Sequence, residues 1–343
     1  MPETPLNLAT LSPLFADEAK AREFLEAQRW PDGPVCPRCN CEKIYKITPK
    51  PGSKGPVRPG VYKCSACRKQ FTVRIGTIFE ESLIPLNKWL MAIHLLCSSK
   101  KGISSSQIAR EIGVTVKSAW FITHRIREAM REGAFDGLLE GMVEVDETYV
   151  GGKPRKGTGK HKRGRGTAKQ PVMVLVQRGG KARCKPVEAV DGKTLKSEVK
   201  KHVADAAVVM TDELASYTGL KETHPEHHVV KHSGGEFAKS REDGLRIHTN
   251  TAESFFALLK RGHYGVYHFM SRRHMRRYCD EFEFRWNHRM KTDGSRMLEA
   301  IKGAEGKRLM YRIPKGIHST VASLVEPGSN AQIERIHEED VPF

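Results

Sequence analysis

The chain has 343 residues, with 58 Lys and Arg against 40 Asp and Glu, a formal net charge of +18. Its 38% hydrophobic content, with 13 Phe, 4 Trp and 8 Tyr, suffices for two or three domain cores and excludes a disordered polypeptide. No run approaches the ~18 uninterrupted apolar residues of a membrane helix, the N-terminal MPETPLNLATLSPLF is no secretory signal, and the positive surplus favours a polyanionic partner, most often nucleic acid.

Residues 17–29, DEAKAREFLEAQR, predict a short amphipathic helix with Asp17 as N-cap, ended by Pro31, Gly33 and Pro34. CPRC and CSAC follow, so Cys36, Cys39, Cys64 and Cys67 carry the spacing of a four-thiolate zinc site. Four thiolates satisfy the ion completely, so its role is structural: it folds a segment too small to bury its own core. Cys41 is an extra thiol outside the pairing, and unligated cysteines are the plain alternative. Paired CxxC spacing, rather than a disulfide framework, points to a reducing intracellular compartment.

PLNKWLMAIHLLCSS, opening at Pro85, predicts a further helix. Residues 104–130 have helix-turn-helix grammar: Ile108, Ala109, Ile112 and Val114 at packing positions, Gly113 at the turn, and a second helix from Thr115 to about Met130. Its outer face is expected to carry Lys117, Thr123, His124 and Arg127 toward phosphates and base edges. Such patterns also arise by chance in helical pairs. Here the zinc module and the charge support the reading.

After a Gly-rich joint near 141 the grammar changes. Strands are expected at 142–148, 171–178, 185–190, 207–211 and 227–232. Helices are expected at 194–203, 251–262 and 271–289, giving an α/β domain with a mixed sheet covered by helices. The Gly/Lys/Arg-rich insert 151–169 cannot bury a face. It reads as an exposed loop in which Lys153, Arg155, Lys156, Arg163 and Arg165 meet phosphate, or more plainly as a solvated hairpin tip. From about 313 the patterning is weak.

Twice an apolar strand ends in acid, in MVEVDETYV and in AVVMTDELA. If those strands are neighbours, Asp146 and Asp212 converge, which is unfavourable unless a cation neutralises them. Oxygen ligands at a half-open site suit Mg²⁺ or Mn²⁺, and two such ions ~3.5–4 Å apart serve in-line attack on a phosphodiester. The plain reading of each Asp is a turn or helix cap. HTNTAESFFALLKRG supplies a third acid, Glu253, with Lys260 two turns on along the same face. Asn250 is either the helix cap or itself a ligand. Glu147 and Glu213 alternate to the opposite pleat and rank below the Asps. In RRHMRRYCDEFEFRWNHR, Tyr278, Phe282 and Trp286 form a core-facing stripe, whereas Phe284 lies off it and is the candidate for base stacking beside a DNA-facing Arg surface. Arg261 adds a further phosphate contact.

CPRC…CSACRKQFTVRIGTIFE, SSSQIAREIGVTVKSAWFITHRIREAM, VEVDETYVGGK and HTNTAESFFALLKRG together resemble bacterial insertion-sequence transposases. The specific group has an N-terminal zinc ribbon, a helix-turn-helix and an RNase H-like catalytic domain, and the likeness spans about 15–312. It implies a multidomain α/β protein: a helical segment 1–34, zinc ribbon 35–80, helix-turn-helix domain 81–140, RNase H-like domain 141–312 and tail 313–343. It also implies a Mg²⁺-dependent DDE-type enzyme that cuts transposon ends and joins the freed 3′-hydroxyl to target DNA. Such an enzyme would act in the bacterial cytoplasm at the nucleoid, as a homodimer or larger assembly, without a membrane. Asp146 and Asp212 match the first two acids. The group often carries Asn with a downstream Lys as the third set, so Asn250 and Glu253 are both kept, and the stronger carboxylate ligand favours Glu253. A silent DNA-binding regulator and a purely hydrolytic nuclease are the rival readings.

Overall fold

The computed structural model describes residues 6–48, 58–131, 137–151, 169–235 and 238–310. The expected tail and Lys153, Arg155, Lys156, Arg163 and Arg165 lie outside the described residues. The chain divides into two compact units, one of Met1–Ser99, Ile103–Met130 and Lys291–Phe343, the other of Lys100–Gly102 and Arg131–Met290.

The first unit opens with α1 (Leu8–Ala16) and α2 (Glu18–Arg29). Asp17 caps α2 as expected, accepting from the amides of Ala19 and Lys20. Helix α1 holds Pro13 past its first turn, where proline cannot donate a helix hydrogen bond; the sequence reading left it inside an undivided helical segment. Three short strands follow, β1 (Ile44–Lys46), β2 (Tyr62–Cys64) and β3 (Gln70–Phe71), antiparallel in that order. Trp30 packs edge-on to the rings of Tyr62 and Phe71, fastening this small sheet to the end of α2. The irregular stretch after it is held by arginines on backbone carbonyls: Arg29 on Val73 and Ile75, and Arg74 on Ser82 and Ile84.

Then come α3 (Leu86–Ser98), α4 (Ser105–Ile112) and α5 (Val116–Met130). Ser104 caps α4 at the amide of Gln107, and Thr115 caps α5 at that of Ser118. Between them Gly113 takes the left-handed conformation, φ 63°, that a side chain resists. Ile108, Ala109 and Ile112 are buried, as the helix-turn-helix pattern requires.

The second unit is built on five strands: β4 (Met142–Val150), β5 (Gln170–Gln177), β6 (Ala182–Pro186), β7 (Val208–Asp212) and β8 (His227–Val230). The helix α6 (Gly192–His202) lies between β6 and β7 in the chain. The sheet runs β6-β5-β4-β7-β8, with β4, β5 and β6 antiparallel and β4, β7 and β8 parallel. A three-strand meander followed by two parallel strands on its far side is the RNase H-like order, and the fold is of that class. Strand β5 is apolar from Val172 to Val176 because both faces are covered. Met173 and Leu175 pack with Leu195 and Val199 of α6, and Val172, Val174 and Val176 with the opposite layer. Strand β6 lies earlier than the expected 185–190. Its charged Arg183 reads as loop in sequence, but pairs at 3.1 Å with the buried Glu283.

A two-strand ribbon, β9 (Lys239–Ser240) with β10 (Arg246–Ile247), precedes α7 (Asn250–Gly262) and α8 (Met275–Asn287). Phe255, Phe256 and Leu259 of α7 and Tyr278 and Phe282 of α8 cover the sheet's second face. The chain then leaves the sheet: α9 (Asp293–Lys302) packs on α2, α3 and α5. Residues 291–310 therefore belong to the first unit, whereas the sequence reading carries the sheet domain to 312. No helix among the described residues is long and apolar enough to cross a membrane.

Candidate functional site

The four cysteines form one site. Cys36 Sγ lies 3.7 Å from Cys67 Sγ, Cys39 Sγ lies 3.5 Å from Cys64 Sγ, and all four sulfurs fall within 4.8 Å of one another. Tetrahedral Zn–S bonds of ~2.3 Å place sulfurs at roughly this spacing, so the donor set fits zinc. Two like-built turns present them: the residue after each pair, Asn40 and Arg68, sits at φ 54° and 57°. The amides of Cys36 and Cys64 each close the turn, on the carbonyls of Cys41 and Lys69. Burial pushes the Cys36 thiol up, but amide donors from Arg38 and Cys39 and the neighbouring thiols of Cys39 and Cys67 outweigh it and bring the group down to about 7. Cys41 stays outside, its thiol against Ser65 Oγ and the Lys43 carbonyl.

The carboxylates sit where the sheet opens. Strands β4 and β7 pair only from Met142 with Val208 to Glu144 with Met210. That register extended two residues sets Asp146 level with Asp212, while β4 stays paired to β5 and β7 to β8. A crevice at the carboxyl ends of parallel strands, where strand order reverses, is the usual binding place of an open α/β sheet. Asp146 is half-buried and its carboxyl is pushed up to about 6. Burial is the main cause; the Glu147 amide at 2.8 Å opposes it, the charges of Asp212 and Glu253 add to it, and Lys260 relieves it. Charges from two distant segments, β7 and α7, thus act on Asp146. Asp212 accepts from the Leu214 amide at 3.1 Å.

Glu253 and Lys260 are exposed on α7, and His232 Nε2 is 4.0 Å from Glu253. Asn250 is exposed and is the first residue of α7; the cap position is Thr249. The capping function falls instead to a residue the sequence reading passed over. Glu144, fully buried on β4, accepts from the amides of Thr251 (2.7 Å) and Ala252 (3.0 Å) and from Thr251 Oγ1 (2.8 Å). Arg178 Nε holds the same carboxylate at 2.6 Å and the His248 ring nitrogen stands at 3.2 Å. Arg178 also reaches the carbonyls of Arg246 and His248. A strand carboxylate two residues from Asp146, on the same pleat, thus anchors the helix that carries Glu253 and Lys260.

Among the described residues only the cysteine set brings three or more donors within 4.8 Å of one another, so Asp146, Asp212 and Glu253 stand wider than a single-ion cage. A pair of ions ~4 Å apart reaches ligand oxygens as much as roughly 8 Å apart. The all-oxygen donor set and the mutual repulsion felt by Asp146 suit hard divalent cations such as Mg²⁺ or Mn²⁺. Glu147 accepts from Tyr217 Oη at 2.7 Å, and Glu213 from the amide and hydroxyl of Ser233.

Several expected DNA contacts are corrected. Lys117 is exposed at the start of α5, and Arg261 is exposed on α7. His124 and Thr123 are fully buried and Arg127 is 1% exposed. Helix α5 packs on α3, α4 and α9, so it has no long free face; His124 lies on the Trp120 ring and Arg127 donates to Thr123 Oγ1. Phe284, offered for base stacking, is 3% exposed and set against His288, and Arg277 and Arg285 are buried. Helix α8 buries nearly every side because its charges pair internally, as in Arg285 with Glu281.

Fold and site together define a zinc-ribbon protein with a helix-turn-helix and an RNase H-like domain bearing an acidic edge. The transposase zinc-ribbon domain family matches residues 16–70 and the ISXO2-like transposase domain family residues 138–287. An uncharacterized protein in transposable element ISH50 of Halobacterium salinarum is 30% identical over 260 residues, 72% of this chain and 83% of that protein. The chain belongs to this family of insertion-sequence transposases. Among solved structures, a pre-cleavage Mos1 transpososome is 13% identical, covering 59% of this chain and 75% of its own, with TM-score 0.23. The Mos1 strand transfer complex is 12% identical over 62% and 73%, with TM-score 0.26. The sheet order above, rather than these superpositions, defines the fold.

Proposed function

We propose that this transposase cleaves the ends of its insertion sequence and joins the freed 3′-hydroxyl to target DNA, in one metal-dependent site. The reading is supported by the register that sets Asp146 level with Asp212 where β4 and β7 part, together with the charges of Asp212 and Glu253 both acting on the Asp146 carboxyl. These three would hold two Mg²⁺ or Mn²⁺ ions, which when bound activate the attacking oxygen and stabilise the leaving one. Glu253 is preferred over Asn250 as third ligand because its charge already acts on Asp146. Lys260 would neutralise a phosphate oxygen beside the acids, and Glu144 would hold α7 so that Glu253 and Lys260 keep their level. Lys117, at the open N-terminus of α5, would meet base edges or phosphate, and Arg261 and the basic loop further phosphates. The protein would act on DNA in the cytoplasm, as a dimer or larger assembly pairing two ends.

A strand-transfer assay with end-sequence oligonucleotides and Mg²⁺ tests this. Joined products are expected, and Asp146→Asn or Asp212→Asn should lower joining on the order of 10³-fold or more while end binding persists. Cleavage without joining would support a nuclease, and binding without cleavage a regulator. Full activity in either variant would refute the site.

A further inference from the structure

Beyond α7 the backbone leaves regular geometry. Residues His263–Tyr267 continue the helix as a π-helical turn, and His268 closes it at φ 56°, ψ −34°, outside the usual left-handed well. π-turns and strained non-glycine residues concentrate at functional sites, where the surroundings must hold them. Here they do. His263 and Met270 are buried, and the half-buried Tyr267 donates to the buried Glu281 and lies 5.0 Å from the Tyr278 ring. The amide of His268 closes on the His263 carbonyl at 2.7 Å.

What this anchored turn presents outward is aromatic. Tyr264 is 59% and Phe269 61% exposed; with Tyr45 of β1 they are the exposed aromatic side chains among the described residues. Burial is the usual fate of such rings, so two on one rigid turn call for a partner. Their surroundings are basic: Arg261, His268, Arg272 and Arg273 are exposed on the same stretch. Tyr264 also follows Lys260 by one turn, as Lys260 follows Glu253 by two, so the three form one exposed stripe along the helix. At ~1.5 Å rise per residue the stripe runs roughly 16 Å from Glu253 to Tyr264, about five nucleotides at a stacked spacing of ~3.4 Å each.

We propose that Tyr264 and Phe269 form a stacking platform for unpaired nucleobases about five nucleotides from the phosphate held at Asp146, Asp212 and Glu253. The proposal rests on the transposase chemistry above. Basic side chains alone would grip a duplex backbone; adding flat apolar faces next to them fits a strand whose bases are free to stack.

The test uses the full chain with oligothymidylate and with a blunt duplex of equal length, and 2-aminopurine scanned through a single-stranded extension of an end oligonucleotide. In Ca²⁺, the wild type should quench 2-aminopurine at one or two positions near the fifth nucleotide. Tyr264→Ala with Phe269→Ala should abolish the quench and weaken oligothymidylate binding at least about ten-fold, leaving duplex affinity, its salt dependence and the melting temperature unchanged. Tyr264→Trp should restore the quench. Unaltered oligothymidylate binding in the double variant overturns the platform while leaving the transposase reading intact if joining assays succeed. Loss of self-association without DNA, in place of loss of stacking, also overturns it and makes the turn a contact between copies. A wild type that binds neither probe removes the platform and the proposed chemistry together.

Discussion

The cysteine site and the proposed carboxylate site of this protein are built in opposite ways. The ribbon's cysteines come from two short turns, and their sulfurs already meet within 4.8 Å. The acids of the sheet unit come from β4, β7 and α7, stand wider, and are arranged by pairing and packing rather than by local turns. A closed thiolate set fills a metal's coordination and stabilises a fold; an open carboxylate set leaves room for water and substrate. The first geometry is local and the second global, and each should fail in its own manner.

Removing the ribbon's metal should produce the largest change. Zinc binding in small modules contributes ~10 kcal/mol or more of folding energy. A strong chelator, or Cys64→Ser, is therefore expected to unfold β1, β2, β3 and the two cysteine turns while the sheet unit keeps its own melting transition, as read by circular dichroism with zinc analysis. A ribbon that stays folded without metal would break the contrast.

The carboxylate side should instead be sensitive to its scaffold. Glu144→Ala leaves Arg178 and the amides of Thr251 and Ala252 without their buried acceptor, a loss of ~3–5 kcal/mol when a buried pair is broken. Thermal melting should fall accordingly, and in the milder Glu144→Gln activity should decline through a higher Mg²⁺ requirement. Unchanged Mg²⁺ dependence in Glu144→Gln would separate Glu144 from the site.

A smaller effect concerns pH. Burial, reinforced by Lys185, holds His202 down to about 4, and burial with Lys221 does the same for His227. Both are neutral when folded but protonate near 6.5 when unfolded. Their stability contribution is therefore complete above pH 6.5 and is lost as pH falls toward 4, on the order of 3 kcal/mol for each. Denaturant melts across that window should show the loss in wild type and a shallower slope in His227→Gln.

The smallest expected difference tests the corrected DNA face. Lys117→Ala should reduce the salt slope of DNA binding by about one and affinity modestly. His124→Ala should lower stability without moving the slope, because that ring lies inside the helical packing.

How much was readable follows the same division. The CxxC pairs announce their site because ligand spacing and chemistry are local. The strand positions of Asp146 and Asp212 were readable because apolar strands ending in acid leave a period-two signature. Glu144 was not: within MVEVDETYV it looks like one more alternating residue, and its partners Arg178 and Thr251 lie in separate segments. His124 and Arg127 misled for a related reason. A helix read alone is assigned one buried face, and nothing in residues 104–130 reveals that α9, far along the chain, covers another. Basic residues misled too: Arg29, Arg74, Arg125 and Arg178 hold backbone carbonyls, so part of the +18 charge serves the fold rather than DNA.

The central claim is that Asp146, Asp212 and Glu253 form a divalent-cation site distinct from the cysteine cluster. Manganese titration of the zinc-loaded protein, followed by electron paramagnetic resonance, addresses it most directly. The account predicts Mn²⁺ binding in the wild type that weakens at least about ten-fold in Asp146→Asn, with zinc content unchanged. Equal manganese affinity in wild type and Asp146→Asn would contradict it.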